Sequence, residues 1–147
     1  MSTIIDIDVL NHLTSEKHGK SLTRNISLKS KRKYIVGLLG EWVVINLLEA
    51  TLYKIIAHRY KCNYGEIDII AEKSSCLVCI EVKTTIRSSE VPKITTQKKS
   101  VINSAKNFIL EHPKYENYDI RFDFFFLSDS NNSFHIENAW EEVDIWG

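Results

Sequence analysis

The chain has 147 residues, 44% of them hydrophobic and 26% charged, and its 19 basic and 19 acidic side chains cancel. This is one soluble globular domain's worth of chain, long enough to bury a core without staples. Three cysteines, Cys62, Cys76 and Cys79, make no disulfide framework, and no apolar run approaches the ~18 residues of a membrane span. Zero net charge means that a nucleic-acid partner would need a local basic patch. Residues 1–10 carry Asp6 and Asp8 and no basic region ahead of an apolar stretch, unlike a secretory signal. The expected setting is the reducing cytoplasm, with no membrane partner.

Residues 1–33 read as a polar N-terminal extension, with one short helix over 8–17 and a closing basic run at Lys29, Lys31, Arg32 and Lys33. Residues 34–147 read as the folded domain. Over 34–50 apolar side chains recur at helical spacing, at Ile35, Leu38, Trp42, Ile45 and Leu48. Gly37 and Gly40 inside that pattern imply close backbone packing, or a helix starting near Gly37. Residues 52–60 predict a strand, Asn63-Tyr64-Gly65 a turn, 66–72 a second strand and 76–84 a third, the last two joined as an antiparallel hairpin. Thr95 or Thr96 can cap a helix running to Glu111, with Val101, Ala105, Phe108 and Ile109 on one face. Residues 120–127 are almost continuously apolar, as expected of a central strand buried on both faces, and Arg121 and Asp123 share one of its faces as a structural ion pair. Residues 134–136 predict a short fifth strand, after which Trp140 and Trp146 can dock on the domain.

Glu81 and Lys83 lie two apart in a strongly apolar strand and therefore face one side, with Ile80, Val82 and Thr84 on the other. The hairpin brings Asp68 alongside. Two carboxylates and a lysine on one face suit a hard divalent cation such as Mg²⁺, which takes oxygen ligands and keeps waters for exchange with phosphate. The Val82 carbonyl could add an oxygen. Lys83 would then orient a metal-bound water or offset charge in the transition state. By spacing alone the same residues read equally well as a cross-strand ion pair on a solvated face.

The motifs Gly65-Glu66-Ile67-Asp68-Ile69-Ile70-Ala71 and Ile80-Glu81-Val82-Lys83-Thr84 resemble those of the YraN family of predicted nucleases. That family belongs to the PD-(D/E)XK, restriction-endonuclease-like superfamily and is similar to archaeal Holliday junction resolvases. Gly37-Leu38-Leu39-Gly40-Glu41, the helix from Ala105 to Ile109, Arg121-Phe122-Asp123 and Asn138-Ala139-Trp140 extend the likeness over residues 37–140. The resemblance implies an α/β fold, a mixed sheet of four to five strands flanked by helices. It implies Asp68, Glu81 and Lys83 as catalytic residues, joined by Glu41 from the first helix, with Mg²⁺ or Mn²⁺ as cofactor and DNA rather than RNA as the expected substrate. Three departures bear on substrate contacts. Thr85 stands where the family usually has Arg, the 87–96 linker is short, and Gln97 replaces a usual Lys just before Lys98 and Lys99.

Other features have plainer readings. Cys76 and Cys79 face opposite sides of a strand and have no second pair, which makes them small hydrophobes rather than a zinc or redox site. The five histidines show no ligand spacing and read as solvent-facing or locally hydrogen-bonded. Glu66, beside Asp68, supports the turn. Arg87, Lys93, Lys98 and Lys99 form a candidate nucleic-acid contact, although such charge runs also mark solvated faces. Three readings follow: a metal-dependent nuclease, a non-catalytic nucleic-acid-binding module on the same fold, and a structural protein whose acidic cluster is an ion-pair network. Whether the protein forms a homodimer stays open.

Overall fold

The computed structural model describes residues 28–86, 98–130 and 132–140. Helix α1 spans Leu28–Ala50 and is followed by strands β1 (Lys54–Cys62), β2 (Gly65–Lys73) and β3 (Cys76–Thr85). Helix α2 (Lys98–Glu111) and a short 3₁₀ turn, Pro113–Tyr115, lead into β4 (Asp119–Ser128) and β5 (Phe134–Ile136). The sheet is five-stranded in the order β1-β2-β3-β4-β5. Neighbours are antiparallel except β3 and β4, which run parallel. A parallel pair needs a long crossover, and the segment containing α2 supplies it. This is a mixed α/β sheet with a helix on each face, consistent with a restriction-endonuclease-like fold. The predicted helix over 8–17 and the dock of Trp146 fall outside the described residues.

One face of the sheet packs Ile67, Ile70, Leu77, Cys79, Phe122, Phe124 and Phe126 against Val101, Ile102, Ala105 and Phe108 of α2. The other packs Ile69, Ala71, Val78, Ile80, Val82, Phe125 and Leu127 against Val44, Ile45 and Leu48 of α1. Strand β4 is buried on both faces from Phe122 to Leu127, as its continuous apolar run predicts. Trp140 is buried and stacks on Phe122 at 6.0 Å.

The structure corrects three details. Helix α1 starts at Leu28, six residues before the predicted start, so the basic run forms its first turns. Its buried residues are Val36, Gly40, Glu41, Val44, Ile45 and Leu48, while Ile35 and Trp42 are exposed. The apolar stripe is therefore turned from the predicted one, because the helix is apolar on most sides after Tyr34 and side-chain spacing alone does not choose its buried face. Gly40 makes that contact: a Cβ there would lie 1.9 Å from Thr84 Oγ1, whereas Gly37 has nothing within 4 Å. Finally, Leu52 ends the helix instead of starting a strand. Its φ is 69°, its N–H donates to Glu49 O at 3.1 Å, and the Tyr53 N–H donates to Leu48 O at 2.9 Å. This is a Schellman cap with leucine where glycine is usual.

Candidate active site

The central feature is a parting of strands. The β2–β3 ladder pairs Lys73 with Cys76 and runs to Ile69 opposite Ile80. There β2 breaks its alternation: Ile69 and Ala71 face α1, but Ile67 joins the α2 side. Asp68 lies at the break. Its Oδ2 accepts the Val82 N–H at 2.8 Å, so a carboxylate takes the place of a ladder carbonyl. In a strand the N–H and C=O of one residue point to the same side, so the Val82 carbonyl opens toward the same gap. Strand β3 meanwhile stays in register with β4 as far as Thr85 opposite Ser128, which holds the β3 side of the gap firm.

Glu81 and Lys83 follow Leu77 and Cys79 on the α2 side of β3, and Ile80 and Val82 face α1, as the alternation predicts. Lys83 is exposed, whereas Glu81 is only 5% exposed and its Oε1 has no hydrogen-bond partner. Burial pushes the Asp68 carboxyl up to about 6. The Val82 hydrogen bond and Lys83 oppose that rise, and Glu41 and Glu66 add to it. Burial and the neighbouring Asp68 push Glu81 up to about 8, with Lys83 offsetting part. A half-buried Asp68 and a buried Glu81 with an unpartnered oxygen, together short of positive charge, form a hard-oxygen donor set that fits Mg²⁺ or Mn²⁺. Among the described residues no group of three or more His, Cys, Asp and Glu side chains forms a metal cage, so water and phosphate would complete the shell.

Glu41 reaches the same region from α1, one residue beyond the Gly40–Thr84 contact. It is 4% exposed and held by two residues that sequence reasoning missed. His58 Nε2 lies 2.7 Å from Glu41 Oε2; Arg59 donates through Nε to Oε2 at 2.9 Å and through Nη2 to Oε1 at 3.3 Å. Adjacent strand residues normally face opposite sides. A bulge between Ile55 and Ala57 and a left-handed Arg59 (φ 57°) let both reach one carboxylate. Tyr60 is thereby handed to the α2 side, where Asn107 donates to its hydroxyl at 2.7 Å. The available signal was the adjacent His58 and Arg59 in mid-strand, between the lysines at either end, since one of two neighbouring strand residues ordinarily faces the core and there needs a partner.

The matching family model, described as uncharacterised protein family UPF0102, covers residues 40–127. The chain belongs to this family. Among UPF0102 proteins, that of Ehrlichia chaffeensis is 53% identical over 108 residues, 74% of this chain and 88% of the relative. That of Ehrlichia ruminantium is 50% identical over 110 residues, 75% and 87% of the two chains. A more distant one from Francisella tularensis is 34% identical over 110 residues, 71% and 93% of the chains. The UPF0102 match opens at Gly40 and contains Glu41, Asp68, Glu81 and Lys83, together with the His58–Arg59 pair.

The remaining sequence-predicted residues of this UPF0102 chain are placed as follows. Arg87 and Lys93 lie outside the described residues, Lys98 opens α2, and Lys99 is exposed on it. Glu66 pairs across the β1–β2 turn with Lys61 at 3.7 Å. Gly65 (φ 146°) leaves room for Ser100 of α2, whose Oγ donates to Tyr64 O at 2.8 Å. Cys79 is buried on the α2 side and Cys76 packs on the α1 side, opposite faces as expected. The Arg121–Asp123 pair is present at 2.8 Å and 2.9 Å. The network around it is larger than predicted. Arg121 also donates to Tyr53 Oη, and the fully buried Asp123 takes His135 Nε2 at 2.9 Å and the Asn138 N–H at 3.0 Å. Burial alone would raise the Asp123 carboxyl, but these bonds outweigh it and hold it below its ordinary value. His58 and His135 thus bond buried acids distant in sequence, a correction to the local reading of the histidines.

Proposed function

We propose that this UPF0102 protein is a metal-dependent nuclease that hydrolyses phosphodiester bonds, with DNA as the favoured substrate. The observation that carries the reading is the inserted Asp68 carboxylate, bonded to the Val82 N–H beside a buried Glu81 with a free oxygen. Such an oxygen calls for a partner, because an unpartnered buried acceptor costs about 1–3 kcal/mol. Asp68, Glu81 and the Val82 carbonyl would hold Mg²⁺ or Mn²⁺, which when bound supplies positive charge to the scissile phosphate and acidifies a water. Lys83, exposed at the mouth, orients the attacking water and offsets the charge that builds on the phosphate oxygens. Glu41 serves differently. Clamped by His58 and Arg59, it acts by positioning β1 against α1 and by adding negative potential at Asp68.

The test is cleavage by purified protein with Mn²⁺ on single-stranded, duplex, flap and four-way-junction DNA, with Glu81→Ala as control. The expected result is strand scission by the wild type and at least a hundredfold loss in the variant, roughly 2.7 kcal/mol. Scission that survives Glu81→Ala would assign it to a contaminant. Nucleic-acid binding without scission under any divalent ion would favour the binding-module reading instead.

A further inference from the structure

Helices usually begin with acids, which complement the positive end of the dipole. The first turns of helix α1 carry Lys29, Lys31, Arg32 and Lys33, and no acid occurs within the helix before Glu41. Each cation in a first turn opposes the dipole by about 0.3–1 kcal/mol, a cost that an anionic partner would offset. Three-to-four spacing places Lys31, Tyr34, Leu38 and Trp42 along one stripe of the helix. Two of its members are large exposed aromatics, Tyr34 at 58% and Trp42 at 53%. The stripe borders the His58–Arg59 clamp on Glu41. Trp42 meets His58 edge-on at 5.3 Å, and the Arg59 guanidinium lies 5.0 Å from the Tyr34 ring centroid. His58 and Arg59 in turn hold Glu41, whose charge is felt at Asp68.

We propose that the seam between α1 and β1 is a track for an unpaired nucleic-acid strand leading into the active site. Bases stack on Trp42 and Tyr34, and phosphates run along Lys31, Arg59 and the basic first turns of α1. Alternating aromatic faces and cations suit this ligand, because every base has a π-face and every nucleotide a phosphate. An intact duplex does not fit, since its bases are already stacked and cannot reach the rings. The inference rests on the nuclease reading and gives it a substrate class: single strands, and the unpaired arms of flaps or branched DNA.

The test is fluorescence anisotropy with a labelled 15-nucleotide oligo-dT and a blunt duplex of the same length, in EDTA so that nothing is cut. Stacking is worth about 1–3 kcal/mol per base, so Trp42→Ala should weaken oligo-dT binding by roughly tenfold or more and Trp42→Phe should restore most of it. Duplex affinity should stay unchanged, as should the thermal melt, because Trp42 lies at the surface. Equal losses on both ligands, or no loss on either, would overturn the track while leaving cleavage, and with it the nuclease reading, standing. A dimer in ultracentrifugation that Trp42→Ala dissociates would instead give this face to a second copy of the chain. Wild type that binds neither ligand and cuts nothing would remove both proposals.

Discussion

At Asp68 and Glu81 the carboxyls are raised in the folded protein above their ordinary values, to about 6 and about 8. A raised carboxyl binds its proton more tightly when folded, so it favours folding in acid and loses that contribution as pH climbs through the folded value. Thermal stability should therefore decline from about pH 4 to pH 8 in the absence of divalent ions. Asp68→Asn keeps an oxygen to accept the Val82 N–H and removes one of the two charges. It should raise Tm at pH 8 by several degrees, at roughly 4 °C per kcal/mol, while abolishing cleavage. Melts of both proteins across this range decide it; a variant less stable than wild type at pH 8 would mean that Asp68 is a structural anchor. Asp123 has the opposite sign. Its lowered carboxyl contributes stability above its ordinary value and loses it as pH falls through the folded value. The sequence made Asp68, Glu81 and Lys83 legible because charges in apolar strands at period two stand out. It concealed His58 and Arg59, because a left-handed residue inside a strand changes which side chains share a face, and arginine gives no hint of that conformation.

At the scale of elements, β2 to β5 were legible almost to the residue, since β2, β3 and β5 are bounded by turns or by sharp changes in composition, whereas β1 lies two residues later than predicted because the helix cap takes Leu52. Helix α1 was legible in existence but not in phase. Seventeen of its 23 residues were placed, yet a helix apolar on most sides offers two nearly equal stripes, and only the approach of Thr84 to Gly40 chooses between them. The two glycines should consequently behave in opposite ways. Gly37→Ala meets open space and should stabilise the protein by about 1 kcal/mol, the helix-propensity difference. Gly40→Ala drives a methyl into Thr84 and should destabilise by about 1–3 kcal/mol, as overpacking does. The helix end makes a similar case. Leu52 is 82% exposed with φ 69°, so glycine there loses little burial and relieves about 1–2 kcal/mol of backbone strain. Urea denaturation should show Leu52→Gly more stable than wild type; an unchanged or lower midpoint would contradict the cap.

For the whole molecule, the mixed sheet follows from pieces visible along the chain: one hairpin, a crossover helix and one doubly buried strand. What local patterning could not reveal are contacts between distant residues. Tyr53 and Arg121 meet at 2.9 Å although 68 positions separate them, and the Asn107 and Glu111 side chains of α2 reach the Tyr60 hydroxyl of β1 at 2.7 Å and 2.9 Å. No period within one element records such pairs. The gap that holds the site is of the same kind, because it arises where β2 leaves β3 while β3 stays with β4. Among the described residues no helix is long and apolar enough to cross a membrane. In the proposed function this gap binds a divalent ion through Asp68 and Glu81 and works on it with Lys83. Calorimetric titration of Mn²⁺ in the presence of oligonucleotide, on wild type, Asp68→Asn and Lys83→Ala, decides whether it does. Wild type and Lys83→Ala should bind, since lysine gives nothing to the cation, and Asp68→Asn should not. No heat of binding in the wild type, or binding that Asp68→Asn leaves intact, would contradict it.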